Sequence, residues 1–178
     1  MKLSDSRPLK PVSLAAPYLL LAAAALLLLA AAPARADLTG FVGNTATPAN
    51  RPVTGFGIGT GLLIVGFEFE YSATVEKLTS APIAPALKTF MFNGLLQTPI
   101  PIARMQFYGT LGGGVYHETL STEPSGNQTN LGTNVGGGAK ISLIGPLRLR
   151  VDYRVFTLRG NARHTPVQRI YAGINLKF

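Results

Sequence analysis

From Asp37 onward, apolar and polar residues alternate along the chain with period two. Phe67, Phe69, Tyr71 and Ala73 oppose Glu68, Glu70, Ser72 and Thr74. Phe90, Phe92 and Leu96 oppose Thr89, Asn93 and Gln97, and Phe107, Leu111 and Val115 oppose Gln106, Tyr108, Thr110 and Tyr116. Further on, Leu131, Val135, Ala139, Ile141 and Leu143 stand against Asn130, Asn134, Lys140 and Ser142. Leu147, Leu149, Val151, Tyr153 and Val155 stand against Arg148, Arg150, Asp152 and Arg154. In the last twelve residues, VQRIYAGINLKF, Ile170, Ala172, Ile174, Leu176 and Phe178 share one face, with Arg169, Tyr171, Gly173, Asn175 and Lys177 on the other. Successive side chains of a strand point to opposite faces, so this is the signature of β-structure with one apolar and one polar side. The pattern predicts eight strands, over residues 37–43, 53–60, 64–75, 86–97, 104–118, 129–143, 147–158 and 167–178. Gly40, Gly55, Gly57, Gly59 and Gly61 dilute it in the first two.

The connections alternate in character. Asn44–Pro52, Glu76–Pro85, Thr119–Gln128 and Arg159–Pro166 are long and polar or Pro-rich, whereas Gly61–Leu63, Thr98–Ala103 and Ile144–Pro146 are shorter. An up-and-down barrel with long loops at one end and tight turns at the other has this layout. A soluble lipocalin-like barrel and a membrane barrel share the alternation and differ only in which face points inward. Gly57, Gly59, Gly112, Gly114, Gly132, Gly136, Gly138 and Gly173 lie on the polar face, with Gly109, Gly113 and Gly137 on the apolar one. An eight-stranded lumen is barely wide enough for side chains, so small residues belong on its inner face. The expected arrangement is therefore apolar side out, toward lipid, with every backbone polar group paired by closure of the sheet.

The N-terminal segment reads differently. Lys2, Arg7 and Lys10 precede an uncharged run from Pro11 to Ala34, and Leu19–Ala32 contains only Leu and Ala. Ala34-Arg35-Ala36 follows with small residues at the cleavage-site positions. A basic start, an apolar core and an A-x-A site make a secretory signal peptide. Residues 1–36 are thus expected to be cleaved, leaving residues 37–178 as one β-barrel domain. No Cys follows the site, which excludes a lipid-anchored mature end, and an exported domain without Cys has no disulfide framework. The formal net charge of +8 includes Lys2, Arg7, Lys10, Arg35 and Asp5. The excess that remains is scattered, unlike the basic stripe of a nucleic-acid-binding surface. With no Trp in the chain, any interfacial girdle falls to Tyr and Phe.

Gly173-Ile174-Asn175-Leu176-Lys177-Phe178 resembles the C-terminal assembly signal of bacterial outer-membrane barrels, in which a glycine, an apolar residue and a terminal aromatic (here Gly173, Leu176 and Phe178) recur at this spacing. Ala172 stands where a polar residue is usual. The glycine-rich strands Tyr108–Tyr116 and Asn134–Lys140 are also similar to that family's. The whole mature region resembles the small OmpA/OmpX-type, eight-stranded antiparallel barrels of Gram-negative outer membranes. The resemblance implies an all-β transmembrane barrel with both ends on the periplasmic side. Its implied partners are outer-membrane lipid and lipopolysaccharide, with barrel-assembly machinery and periplasmic chaperones during biogenesis. A monomer is expected, with no nucleic acid and no cofactor. Family members are adhesins, envelope stabilisers, narrow pores or enzymes, so fold leaves function open.

Three constellations are candidates for function. Glu68, Glu70, Lys140, Arg148, Arg150, Asp152, Arg154 and Arg169 should face the lumen, either as a mutually paired plug or as an ion path. Their Arg excess suggests residual water or a slight anion preference. At the loop end, Arg51, Arg159, Arg163 and His164 form a basic set able to contact an anionic partner such as lipopolysaccharide phosphate. His117, beside Glu118 and near Ser121, invites a Ser–His–Glu arrangement. Strand neighbours point to opposite faces, however, and no motif of the lipid A deacylase or palmitoyltransferase families is present. The glycine runs lack the Gly-Lys-Ser/Thr of a phosphate loop. Two His and no Cys make a dedicated transition-metal site unexpected. The reading is a non-enzymatic structural or surface-interaction barrel with a largely plugged lumen. A narrow pore, a lipid-modifying enzyme and a soluble periplasmic barrel are the alternatives.

Overall fold

The computed structural model describes residues 35–62, 64–123 and 126–178. The predicted signal segment lies outside the described residues except for Arg35 and Ala36. Ala34–Phe178 forms one compact unit. Its strands are β1 (Arg35–Thr45), β2 (Arg51–Leu62), β3 (Val65–Thr74), β4 (Ala86–Gln97), β5 (Met105–Thr119), β6 (Gln128–Ser142), β7 (Leu147–Leu158) and β8 (Val167–Lys177). Each pairs antiparallel with the next, and β1 pairs with β8 from Asp37–Lys177 to Thr45–Arg169, so the sheet closes. The fold is an eight-stranded up-and-down barrel.

All eight predicted strands are present, and the largest boundary differences are in β1 and β2. Each runs two residues further at each end than the alternation suggests, because the two pair with each other without a break from Arg35–Gly61 to Thr45–Arg51. The β1–β2, β3–β4, β5–β6 and β7–β8 loops leave one end of the barrel. The three other turns leave the opposite end, where the Phe178 N–H also donates to the carbonyl of Ala36 at 2.9 Å. The length asymmetry is less complete than expected. The β1–β2 loop, residues 46–50, is shorter than the β4–β5 turn, residues 98–104. That turn folds back on itself through reciprocal bonds between Ile102 and Met105, with Ala103 and Arg104 both at positive φ as a tight hairpin demands.

The faces are oriented apolar side out. Phe67, Phe92, Leu111, Leu131 and Ile174 are exposed on the exterior, while Glu68 is 4% and Arg150 1% exposed inside. One expectation needs correction: the interior is not polar throughout. Leu87, Met91, Tyr116, Phe156, Leu158 and Val167 point inward and form an apolar cluster in the loop-side half of the lumen. Phe41 also points inward, stacked on Tyr171 with ring centroids 4.1 Å apart. It fits because its neighbours lack side chains: a Cβ at Gly55 would collide with its ring, and one at Gly173 would lie 2.7 Å from its Cβ.

Candidate functional site: the barrel lumen and its loop-side rim

Strand β7 supplies the centre of the lumen, because alternate residues Arg150, Asp152 and Arg154 all project inward and are buried. Across the barrel, β3 projects Glu68 and Glu70. Glu68 accepts from both Nη of Arg150, one at 3.1 Å, and from Arg154 Nη2 at 3.0 Å. Asp152 accepts from Arg150 Nη2 at 3.0 Å and from Arg154 Nε at 3.0 Å. It also receives the hydroxyl of Tyr108, whose oxygen in turn accepts from Arg150 Nε at 2.7 Å. Glu70 pairs with Arg154 Nη1 at 2.9 Å and accepts from the Tyr171 hydroxyl at 3.0 Å. A buried ion is tolerated only when its charge and its hydrogen bonds are both met, and this weave of two arginines and three carboxylates largely does so.

Arg169 is held more loosely. It lies 4.0 Å from Glu70, donates to Ser72 Oγ at 2.5 Å and rests over the Phe156 ring at 4.4 Å. Its Nε and Nη2 have no hydrogen-bond partner among the described residues, although the residue is fully buried. Towards the turn end, Lys140 pairs with Asp37 at 2.5 Å. Asn134 donates to Asn93 at 2.8 Å, and Asn175 to Thr39 at 2.9 Å.

Of the eight lumen residues named from sequence, seven are buried inside. Arg148 is the exception: it is half-buried near the turn-side mouth and donates to Gln106 at 3.2 Å. The partly buried Asp37 pairs with Lys140 instead, so the acids and bases of this stretch of lumen are equal in number. Glu68, Glu70, Asp152 and Asp37 face Arg150, Arg154, Arg169 and Lys140. Asp37 opens one of the two weakest strand patterns, so the alternation does not mark it as a lumen residue. Tyr108 and Tyr171 were read as polar-face residues, but nothing in their spacing reveals that their hydroxyls reach the carboxylates.

The loop-side rim also needs correction. Arg51 does not join the basic set, being 2% exposed. Its guanidinium is turned into the loops, donating to the carbonyls of Pro85, Val75 and Thr47. Arg163 pairs with Glu123 at 2.6 Å, and its backbone N–H donates to Glu118 at 3.2 Å. The His164 ring bonds the carbonyl of Ile83 at 3.0 Å. Of the four, Arg159 alone keeps an exposed side chain with no partner among the described residues. His117 points outward with Nδ1 2.7 Å from Thr129 Oγ1, whereas Glu118 points inward and accepts from Gln128 at 2.7 Å. Glu76 accepts the Ser121 N–H at 3.0 Å, and that N–H with the Ser121 hydroxyl holds its carboxyl below the usual value. Gly173 lies on the inner face beneath Phe41, Leu176 is matched to Leu38 and Leu147 on its neighbours, and Phe178 is 69% exposed.

No family model matches the chain. No curated protein matches it either. Solved structures do. The N-terminal barrel domain of Pseudomonas aeruginosa OprF superposes with a TM-score of 0.61 at 15% identity, over 81% of this chain and 97% of that one. Neisserial surface protein A gives 0.59 at 14% identity, over 82% and 96%. The outer-membrane enzyme PagL gives 0.51 at 13% identity, over 79% and 98%. At such identities the likeness is one of architecture. In strand number, closure and inside-out burial, the chain has the fold of the small eight-stranded outer-membrane β-barrels.

Proposed function

We propose that the protein is a non-catalytic barrel of the outer membrane, serving a structural or surface-interaction role with its lumen blocked to solutes. The observation that carries this reading is the continuous fill along the axis. The Lys140–Asp37 pair gives way to the Arg150–Glu68–Asp152–Arg154 weave, then to Arg169 and Phe156, and finally to Met91, Leu87 and Tyr116. Among the described residues neither histidine has a carboxylate partner: His117 bonds Thr129 and His164 bonds a backbone carbonyl, which supports a role without acid–base chemistry. Export would follow removal of residues 1–36, and Gly173, Leu176 and Phe178 would be read during insertion by the barrel-assembly machinery. The mature protein would act as a monomer.

Single-channel recording on purified, folded protein in planar bilayers tests the reading. The expected record is flat across applied voltages, and discrete openings would replace it with a narrow pore. Sequencing the N-terminus of protein from the outer-membrane fraction should begin at Asp37. An intact leader in that fraction would refute the export route.

A further inference from the structure

The inner wall of the barrel is bare at one corner of its turn side. Gly59 and Gly61 on β2 and Gly66 on β3 present only backbone to the interior, and Gly61 is paired directly with Gly66. Gly59 is in register with Asp37 on one side and with Glu68 on the other. Two carboxylates thus stand two strands apart, roughly 10 Å by backbone spacing, with no side chain on the strand between them. Leu95 and Gln97 on β4 and Lys140 on β6 complete the lining of a cavity of about 10 Å³. The groups around it are incompletely bonded. Lys140 reaches across the lumen, its Nζ 5.8 Å from the centre of the Tyr108 ring, to pair with Asp37 Oδ2 at 2.5 Å. An ammonium carries three N–H donors, and this is the one hydrogen bond that Lys140 Nζ makes among the described residues. At 3% exposure, Lys140 cannot turn to bulk solvent for the others. Asp37 Oδ1 is buried and has no hydrogen-bond partner among the described residues. Glu68, by contrast, is fully engaged, since Arg150 and Arg154 occupy both its oxygens.

We propose that this cavity binds a single water molecule, which accepts a hydrogen bond from Lys140 Nζ and donates one to Asp37 Oδ1. Size and charge together select this ligand. The volume is about the least that holds one water, and it is too small for an organic solute. Lys140 already neutralises Asp37, and two arginines neutralise Glu68, so a metal cation would meet no spare negative charge. An anion would face two carboxylates. A neutral molecule that both gives and takes a hydrogen bond serves Lys140 and Asp37 at once, at little cost for its immobilisation. The ionic filling is therefore hydrated at its turn-side end, where the water joins β1 to β6 beside the Glu68 weave. This goes beyond the blocked lumen proposed above, because a water held in place neither requires nor opens a path along the axis.

Two measurements on the folded barrel test the site. A high-resolution crystal structure should show one isolated density peak within hydrogen-bonding distance of both Lys140 Nζ and Asp37 Oδ1. Crystals soaked in rubidium bromide should give no anomalous signal at that peak; a signal would identify an ion and overturn the water. In solution, hydroxyl radicals generated from bound water by X-ray pulses oxidise the side chains beside it. Leu95, 5% exposed, should be oxidised, whereas Leu87, 1% exposed within the apolar cluster, should not. An absent peak, or oxidation of Leu95 no greater than that of Leu87, overturns the site. Combining Asp37→Leu with Lys140→Met removes the hydrogen-bonding groups without stranding a charge. That pair should abolish both the peak and the Leu95 oxidation, and survival of either refutes the assignment to Asp37 and Lys140. The wild-type results decide the site even where the double variant does not fold. Conduction in the bilayer recording would defeat the blocked lumen alone, since the water depends on the local bonding of Asp37 and Lys140.

Discussion

The two halves of the lumen are filled by opposite chemistries inside one wall. On the turn side, Arg150, Arg154, Glu68 and Asp152 hold one another through bonds near 3.0 Å, and each ion depends on at least two others. On the loop side, Leu87, Met91 and Leu158 touch without direction, and none of the three has a specific partner to lose. Both halves exclude bulk water, but they should respond to substitution in different ways. An ionic filling is sensitive to chemistry at constant shape, an apolar filling to shape at constant chemistry.

Glu68→Gln is the sharpest way to break the comparison. It keeps the volume yet leaves Arg150 and Arg154 with one carboxylate fewer, and should cost about 3–5 kcal/mol, read from urea unfolding of barrel folded into vesicles. Tyr108→Phe removes only the hydroxyl that bridges Arg150 and Asp152, for an expected loss of about 1.5–3 kcal/mol in the same assay. Met91→Leu, the matching volume-conserving change in the apolar half, should cost less than about 1.5 kcal/mol. If Met91→Leu proves as damaging as Glu68→Gln, the two fillings do not differ as described.

The smallest effect lies in the loops. The folded-state value of Glu76 is depressed by Ser121, so its stabilisation of the β3–β4 and β5–β6 loop contact is fully present above the ordinary value of 4.5. It is lost as pH falls through the lower folded-state value. Faster amide exchange at Ser121 on acidification, after correction for intrinsic rates and absent in Glu76→Gln, is the expected signature. The same pH response in Glu76→Gln would dissociate it from this carboxylate.

Legibility from sequence followed the alternation closely. From β3 to β8 the apolar–polar period is strong, and both strand position and facing direction could be read from it. The loop-side cluster was obscured because Met91 lies between Phe90 and Phe92, in a run where three consecutive apolar residues hide the fact that the middle one turns inward. Phe156 and Leu158 extend the polar face of β7 with apolar residues, a change of chemistry along one face that periodicity does not register. Arg51 was misjudged for another reason. Its place at the end of a loop says nothing about whether the neighbouring loop folds over it, and the Pro85 and Val75 carbonyls that receive it come from a loop more than twenty positions away. The partly buried acid Asp37 depends on β1, whose role emerges only once β8 lies beside it.

The contact of Phe41 with Gly173 and Tyr171 joins the first strand to the last. Everything between them can form hairpin by hairpin from local pairing, but this junction has no counterpart until β8 has been made. The aromatic ring on β1 thus works as a latch whose catch, a bare backbone with a flat ring beside it, arrives with β8. Ring closure should therefore be the last act of assembly, and Gly173→Val, which fills the catch, should leave the sheet unclosed and unable to insert, read as loss of the mobility shift of unheated protein.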